Sequence, residues 1–308
     1  MTVNNTENLP LVSFIIPTNN SYRTIEKCLK SIREQEYPKI EIIVVDGGST
    51  DGTLKIAGDY ADKVVVLEGS LGFARAYGAK LVKGEILGIF DSDIYLPHRK
   101  WLKRAVETLF KYPRAAILWP INIPPKNASA IAKAYFVLWE YRLRKSKSPI
   151  PGGNILVKRK AYTEVGGINP HLHFGEDYDL TLKILKRGYT YIIYPDPIIH
   201  DTMHSLKQYT RKQFWGAYSL TKASPDIVKT AMMWEPSPNK NVMLNGLNHS
   251  LSFIRSIPLG IKRGYGISVM FYLPLLMIIR LVIYGSAFLL KSKTMMVKYR
   301  CSIGLMRL

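Results

Sequence analysis

Between residues 11 and 91, short apolar runs alternate with segments of helical period, and the runs end in polar or glycine-rich loops. "LVSFIIPTNN" opens the series as a buried strand that leaves into a polar loop, and Thr24 to Glu36 has helical periodicity. "IEIIVVDGGSTDGT" is a second strand, closed by Asp46 and a Gly/Ser/Thr turn. A helix from about Thr53, a short strand "KVVVLEG", a helix from Phe73 to Lys83 and a strand ending at Asp91 continue the pattern. Strands and helices taken in turn require crossover connections, and these place the strands parallel in a doubly wound α/β sheet. Ligands of such sheets bind beyond the C-terminal strand ends. Thr18, Asp46, Asp91 and Asp93 fall there.

The fourth of these ends reads "GIFDSDIYLP". Two carboxylates one residue apart, at the mouth of a buried strand, repel each other unless positive charge lies between them. A divalent cation supplies that charge, and hard carboxylate oxygens are the ligands Mg²⁺ and Mn²⁺ prefer.

Charge points the same way at larger scale. The chain carries +20 formally, and from Asp201 onward there are 15 Lys or Arg against 3 Asp or Glu. The partner is therefore anionic: nucleic acid, phospholipid or a phosphorylated small molecule. Nucleic acid is the least favoured of these, because it leaves the acidic strand ends unexplained. Cys28 and Cys301 form no metal-ligand cluster or disulfide framework, which fits a reducing compartment. "MTVNNTENLP" lacks the basic and apolar regions of a signal peptide, so the N-terminal part is expected to stay in the cytoplasm.

Beyond the first sheet strands, residues 113–149 mix aromatic and basic residues, including "AYFVLWEYRLRKSKS", and read as a mobile loop or helix over the site more than as core. "PIPGGNILVKRKAYTEVGG" and "HFGEDYDLTLKILKRGY" follow, the latter a loop entering an amphipathic helix at Asp177.

Taken in order, "SFIIPTNN", "SIREQEYPKIEIIVVDGGSTDGT", "GFARAYGAKLVKGEILGIFDSDIYLP", "PGGNILVKRKAYTEVGGI" and "GEDYDLTLKILKRGY" resemble the family-2 glycosyltransferases of GT-A fold over roughly residues 11–205. The resemblance implies a Rossmann-like mixed, mostly parallel sheet with helices on both faces, a nucleotide-sugar donor (UDP- or GDP-linked), a divalent metal and inversion at the anomeric carbon. It assigns Pro17 and Thr18 to the border of the nucleoside, Asp46 to the base, and Arg75 to the base and diphosphate. Asp91, Ser92 and Asp93 match the Asp-x-Asp motif. Asp93 is expected to ligate metal directly and Asp91 to contact the ribose or a metal-bound water. The family's common double Asp is here Asp46-Gly47, which weakens any statement about the base. Glu176 and Asp177 match the acidic pair before the last helix of the domain. Asp177 is the expected base for the acceptor hydroxyl, with Glu176 orienting it or binding acceptor. His200, with His204 as a rival, matches a histidine that approaches the metal or diphosphate.

Each of these residues has a plainer reading. Asp46 with "GGST" makes a turn by itself, and Glu176-Asp177 suits the positive end of a helix dipole. Gly152 and Gly153 either admit acceptor to the backbone or merely turn the chain. Asp179 pairs structurally with Lys183, four residues on. Arg142, Arg144, Lys145 and Lys147 form either a solvated basic face or an acceptor-phosphate site.

Near the C-terminus, "FYLPLLMIIRLVIYGSAFLL" (271–290) has the length of a bilayer span. Arg280 at its centre costs about 2.5–3.5 kcal/mol on insertion, offset by the surrounding Leu, Ile, Val and Phe residues at roughly 0.3–0.6 kcal/mol each. A single span would export Lys291, Lys293, Lys298, Arg300 and Arg307, against the positive-inside tendency. An interfacial or re-entrant segment broken at Pro274 keeps both basic flanks on the cytosolic, anionic face of the cell membrane. A buried helix of a soluble fold is the plainer alternative.

The expected organisation is a flexible stretch over 1–10, a catalytic domain over 11–225 and a helical membrane-associated region over 226–308, with its apolar segment at 268–290. Within the catalytic domain, 11–115 forms the nucleotide-sugar half and 116–225 the acceptor half. The expected activity is metal-dependent transfer of a sugar to a lipid-linked glycan or other membrane-associated acceptor. A polyprenyl-phosphate monosaccharide synthase and a catalytically silent binding module are the alternatives.

Overall fold

Strand β1 (Val12–Thr18) is buried along its whole length, and its alternate residues feed two different layers. Phe14 and Ile16 join one core with Ile25, Cys28, Leu29 and Ile32 of helix α1 (Tyr22–Arg33) and Trp101, Leu102 and Leu109 of α4 (Trp101–Lys111). Ile15 points the other way, toward α3 (Leu71–Leu81), where a Cβ on Gly78 would lie 2.5 Å from Ile15 Cγ2. A strand with apolar side chains on both faces is covered by helices on both, which is the doubly wound arrangement.

The structure, a computed structural model, describes residues 9–145, 152–172, 175–222, 255–266 and 268–289. Parallel pairing joins β1 to β2 (Ile40–Asp46) and to β4 (Ile86–Ile89), and β2 to β3 (Lys63–Val66). Helix α2 (Thr53–Tyr60) lies between β2 and β3 in the chain. The sheet continues through β7 (Ile155–Lys158), antiparallel to both β4 and β6 (Ala115–Ile123). Then come β8 (Thr190–His200), parallel to β6, and the two-residue edge strand β5 (Ile94–Tyr95), antiparallel to β8. The order of the eight strands is β3-β2-β1-β4-β7-β6-β8-β5. Helices α6 (Arg159–Glu164) and α7 (Glu176–Lys186) complete this part. The mixed, mostly parallel α/β sheet is the one expected.

One expectation needs correction. Residues 115–123 are a core strand and not a covering loop: Ala115 to Trp119 are buried at 2% exposure or less. Pro120 disguised the strand, since proline lacks the ladder donor and is rare inside a sheet. The chain absorbs it with a register shift between Pro120 and Asn122 opposite β8. The chain divides into a sheet unit, 1–128 with 147–202, and a helical unit, 129–146 with 203–308.

The helical unit holds α5 (Ala130–Lys145), α8 (Leu206–Lys222), α9 (255–262) and α10 (Ser268–Leu289). Internal polar contacts explain why α5 and α8 belong to it. Tyr209 Oη donates to Leu276 O at 2.9 Å, and Glu140, nearly buried, accepts from Arg144 at 2.7 Å and Arg263 at 2.6 Å. Together the arginines hold the Glu140 carboxyl below its ordinary range, outweighing the opposing effect of burial. Among the described residues no helix is long and apolar enough to cross a membrane. The segments 1–8, 223–254 and 290–308, and the membrane contact expected for 226–308, lie wholly or partly outside the described residues.

Candidate active site

The site is built where β1, β2 and β4 end. Thr18 and Asp46 are cross-strand partners at the last rung of β1 and β2, and Thr18 O accepts from Gly47 N at 2.8 Å. Thr18 Oγ1 is buried with no hydrogen-bond partner among the described residues. Pro17 stacks one rung earlier, beside Val45. Asp46 is fully buried, and its carboxylate accepts from Gly48 N (2.9 Å), Ser49 N (2.6 Å) and Ser49 Oγ (2.6 Å). The plainer reading of Asp46, a carboxylate bracing its own turn, is thus present in the structure. Gly47 stands close to the loop after β1. A Cβ at Gly47 would lie 2.7 Å from Asn19 Nδ2, whose amide donates to Gly47 O at 2.8 Å.

The Asp91-Ser92-Asp93 turn is held at three points. Ser92 Oγ lies 2.9 Å from Ser21 Oγ, in the loop after β1. Asp93 Oδ1 stands 3.0 Å from His200 Nε2, and Asp93 O accepts from Asp201 N at 2.7 Å. Pairing of β5 with β8, Ile94 opposite His200, brings these residues together across more than a hundred positions of sequence. Arg23 fastens the same point, donating to Asp201 Oδ2 at 2.8 Å and Asp201 O at 3.0 Å. Asp91, Asp93 and His200 each present one ligand atom, all within 4.8 Å of one another. Two carboxylates and an imidazole suit a divalent ion of the Mg²⁺ or Mn²⁺ kind. His204 belongs to the helical unit, where its backbone N–H donates to Gln208 Oε1.

Asp91 is positioned by two residues, only one of which the sequence singled out. Arg75, 2% exposed, extends from α3 and donates through Nη2 to Asp91 Oδ1 and through Nη1 to Glu176 Oε1. The other is Asn154, whose Oδ1 accepts from Asp91 N at 2.7 Å while its Nδ2 donates to Asp91 Oδ2 at 3.2 Å. Asn154 is buried and left-handed at φ 65°, a conformation asparagine tolerates better than most residues. The signal for it is the N of "PGGN", a residue to which the sequence reading gives no role beside its two glycines. Both oxygens of Asp91 are thus held by protein donors.

Helix α7 supplies the remaining acids. Asp177 Oδ2 accepts from Gly153 N at 2.6 Å, and Oδ1 from Tyr178 N at 2.8 Å. The two glycines admit these contacts. A Cβ on Gly152 would lie 3.3 Å from Asp177 Oδ2, and one on Gly153 3.2 Å from Arg75 Nη2. Burial pulls the Arg75 guanidinium down, but Asp91, Glu176 and Asp177 outweigh it and keep Arg75 charged. Burial pushes the Glu176 carboxyl up, to about 7, with Arg75 opposing and Asp177 reinforcing the rise. Asp177 is likewise raised, by burial first, against Arg75 and its two backbone donors. One guanidinium shared by three acids cannot neutralise them all, so this cluster retains a proton above the ordinary carboxylate range. Asp179 pairs with Lys183 at 2.6 Å, as its spacing indicates. Of the suggested phosphate-binding cluster, Arg144 is engaged by Glu140; the side chains of Arg142, Lys145 and Lys147 lie outside the described residues.

The sequence pattern of glycosyl transferase family 2 matches residues 13–166, from β1 through α6. The chain belongs to this family. It is an enzyme of the glycosyltransferase class. The glycosyltransferase AglE of Haloferax volcanii is 30% identical over 222 residues, covering 68% of this chain and 72% of that protein. An uncharacterised glycosyltransferase of Rickettsia typhi is 29% identical over 248 residues, covering 71% and 76%. Among solved structures, a mannosyltransferase of Pyrobaculum calidifontis in complex with GDP-Man and Mn²⁺ superposes with a TM-score of 0.62 at 22% identity, over 91% of this chain and 88% of the other. Glucosyl-3-phosphoglycerate synthase of Mycobacterium tuberculosis, in complex with Mn²⁺, UDP and glucosyl-3-phosphoglycerate, superposes with a TM-score of 0.53 at 19% identity, over 76% and 83%. At these identities the two structures establish the shared GT-A fold.

Proposed function

We propose that this glycosyltransferase moves a sugar, with inversion, from a UDP- or GDP-linked donor to a hydroxyl of a lipid-linked glycan at the cytoplasmic face of the membrane, assisted by Mg²⁺ or Mn²⁺. The observation that carries the metal-assisted donor reading is the convergence of Asp91, Asp93 and His200 within 4.8 Å, joined through Arg75 to the acidic pair of α7. Two solved neighbours of the same fold contain Mn²⁺ with a nucleotide or nucleotide sugar, which supports the choice of donor class.

In this reading Asp93 and His200 hold the cation, and Asp91, fixed by Arg75 and Asn154, faces the ribose or a water on the ion. A bound cation offsets the negative charge that grows on the departing diphosphate. Thr18, on the rim of β1, meets the nucleoside, while Asp46 keeps the neighbouring turn in shape. Asp177 takes the proton from the acceptor hydroxyl as that oxygen forms its bond to the anomeric carbon. Its two backbone donors orient the carboxylate and leave further lone pairs on each oxygen for this task. Glu176 and Arg75 keep Asp177 in register with Asp91. The acceptor is assigned to a lipid-linked glycan on the basic balance of the chain after Asp201 and the apolar segment at 268–290.

The test is thermal unfolding of the detergent-purified chain with UDP-, GDP- and dTDP-sugars, with and without Mn²⁺, beside Asp93→Ala. A donor at 100 times its Kd adds about 2.7 kcal/mol, which corresponds to a rise of several degrees for a domain of this size. The expected result is a metal-dependent rise with one nucleotide class, absent in Asp93→Ala. If no donor stabilises the folded protein, the donor site proposed here is wrong. Radiolabelled transfer then separates a glycan hydroxyl from a polyprenyl phosphate as acceptor.

A further inference from the structure

Helix α10 has two opposite faces of different character. Val269, Leu273, Leu276 and Met277 are buried at 2% exposure or less within the helical unit. Phe271, Leu275, Ile278 and Val282 recur at i, i+4, i+7 and i+11 on the other side, and their exposures are 74%, 37%, 57% and 61%. Arg280, the one charge in the helix, lies on the packed side: its Nη1 donates to the buried Gln213 Oε1 at 2.8 Å. The bare stripe is therefore both apolar and uncharged. A monomeric soluble protein rarely leaves such a stripe open to water.

The charge that flanks it in the sequence selects the occupant. From residue 255 to 308 the chain contains nine Lys or Arg and no Asp or Glu. Arg255 and Lys262 of α9, just before the stripe, are exposed, and Ile261 beside them is 62% exposed. A second copy docked stripe to stripe would bring like charge against like. Nucleic acid would match the charge and leave the apolar stripe wet. An anionic lipid surface satisfies both, with the stripe in the acyl boundary and the bases among the headgroups.

We propose that Phe271, Leu275, Ile278 and Val282 form a docking face on which α10 lies in the plane of an anionic membrane, Arg280 being turned away from the lipid. This deepens, and rests on, the membrane-linked acceptor proposed above. The experiment is co-sedimentation of the full chain with vesicles of phosphatidylcholine alone or with about a third phosphatidylglycerol, the charge share that brings the surface into the range of cytoplasmic leaflets. The wild-type chain is expected to sediment with the anionic vesicles and to be released in part by salt. Phe271→Ser with Ile278→Ser should lower the partition at least about tenfold, since a large apolar side chain taken out of water is worth a factor of that size or more. Arg255→Gln with Lys262→Gln should lower binding to anionic vesicles alone, by about fivefold per charge. All variants should keep the wild-type melting temperature and the donor-induced rise measured without vesicles. A wild-type chain that stays in the supernatant, or a Phe271→Ser/Ile278→Ser chain that binds as well as wild type, overturns the proposal. So does sedimentation velocity showing that those substitutions turn a dimer into a monomer, which assigns the stripe to a second copy. Because the donor-induced rise is read separately, loss of vesicle binding with that rise intact overturns the docking face and leaves the donor site standing.

Discussion

At the scale of single residues, Asn154 and Asp177 carry separable tasks. Asn154 is the hinge of the Asp91 geometry: its amide clamps both the backbone and the carboxylate of that residue. Asn154→Gly keeps the left-handed backbone within reach and removes the clamp. The expected result is a rise in the Mn²⁺ concentration for half-activity and a loss of about 10–100-fold in kcat/KM, the usual effect of removing an outer partner at the proposed metal site. A titration of activity against Mn²⁺ checks it; an unchanged midpoint would show that Arg75 alone positions Asp91. Asp177→Asn removes proton acceptance and keeps one oxygen to accept from Gly153 N or Tyr178 N. It should lower kcat by about 10²–10⁴-fold and leave the donor-induced rise in melting temperature in place. Loss of that rise would place Asp177 in donor binding instead.

At the scale of elements, the site depends on how closely α3 approaches the loop before α7. Ser70 caps α3, accepting from Phe73 N at 3.1 Å. A Cβ on Gly72 would lie 2.3 Å from Leu172 O and 3.1 Å from Asn169 O, both backbone atoms that cannot swing aside. Gly72→Ala should therefore cost about 1–3 kcal/mol of stability, the range for overpacked positions, despite the better helix propensity of alanine. Because Arg75 stands on the next turn of α3, activity should fall further than stability explains. Denaturant unfolding beside steady-state kinetics separates the two, and a fully stable, fully active Gly72→Ala would show that the loop yields freely.

At the scale of the whole molecule, α3, the turn after β4 and α7 share one buried charge cluster, and this makes stability and activity respond to pH in opposite senses. The folded Glu176 carboxyl is raised to about 7 from an ordinary 4.5, so between these values the folded state binds more protons than the unfolded one. Stability from this group is therefore greatest below about 4.5 and declines as pH rises through about 7. As the proposed base, Asp177, also raised, must be deprotonated to accept a proton, so activity should fall as pH drops through a value above the ordinary carboxylate range. Melting temperature and kcat/KM measured across pH 5–8 should thus move apart. Glu176→Gln should flatten the stability slope and shift the acid limb of activity downward, since Arg75 then serves fewer carboxylates. A slope unchanged in Glu176→Gln would assign the effect to other groups.

Sequence alone determined the elements whose residues are contiguous: the buried strands β1, β2 and β4, the helices between them, and the placing of Thr18, Asp46 and Asp91 at their ends. Periodicity is local, and parallel connection follows from the alternation of strand and helix. The ordered motifs also sufficed for the family. Tertiary structure decided what depends on distant pairing. The β5–β8 ladder sets His200 against Asp93, and Asn154 reaches Asp91 from the position just before the antiparallel strand β7. Nor does periodicity reveal that β6 is core through Pro120, or that α5 and α8 pack with α10, because those facts depend on partners far along the chain. Burial is the physical reason in each case: a side chain shows its type in the sequence, but the groups that surround it, and so its charge state and its work, exist only once the chain has closed around it.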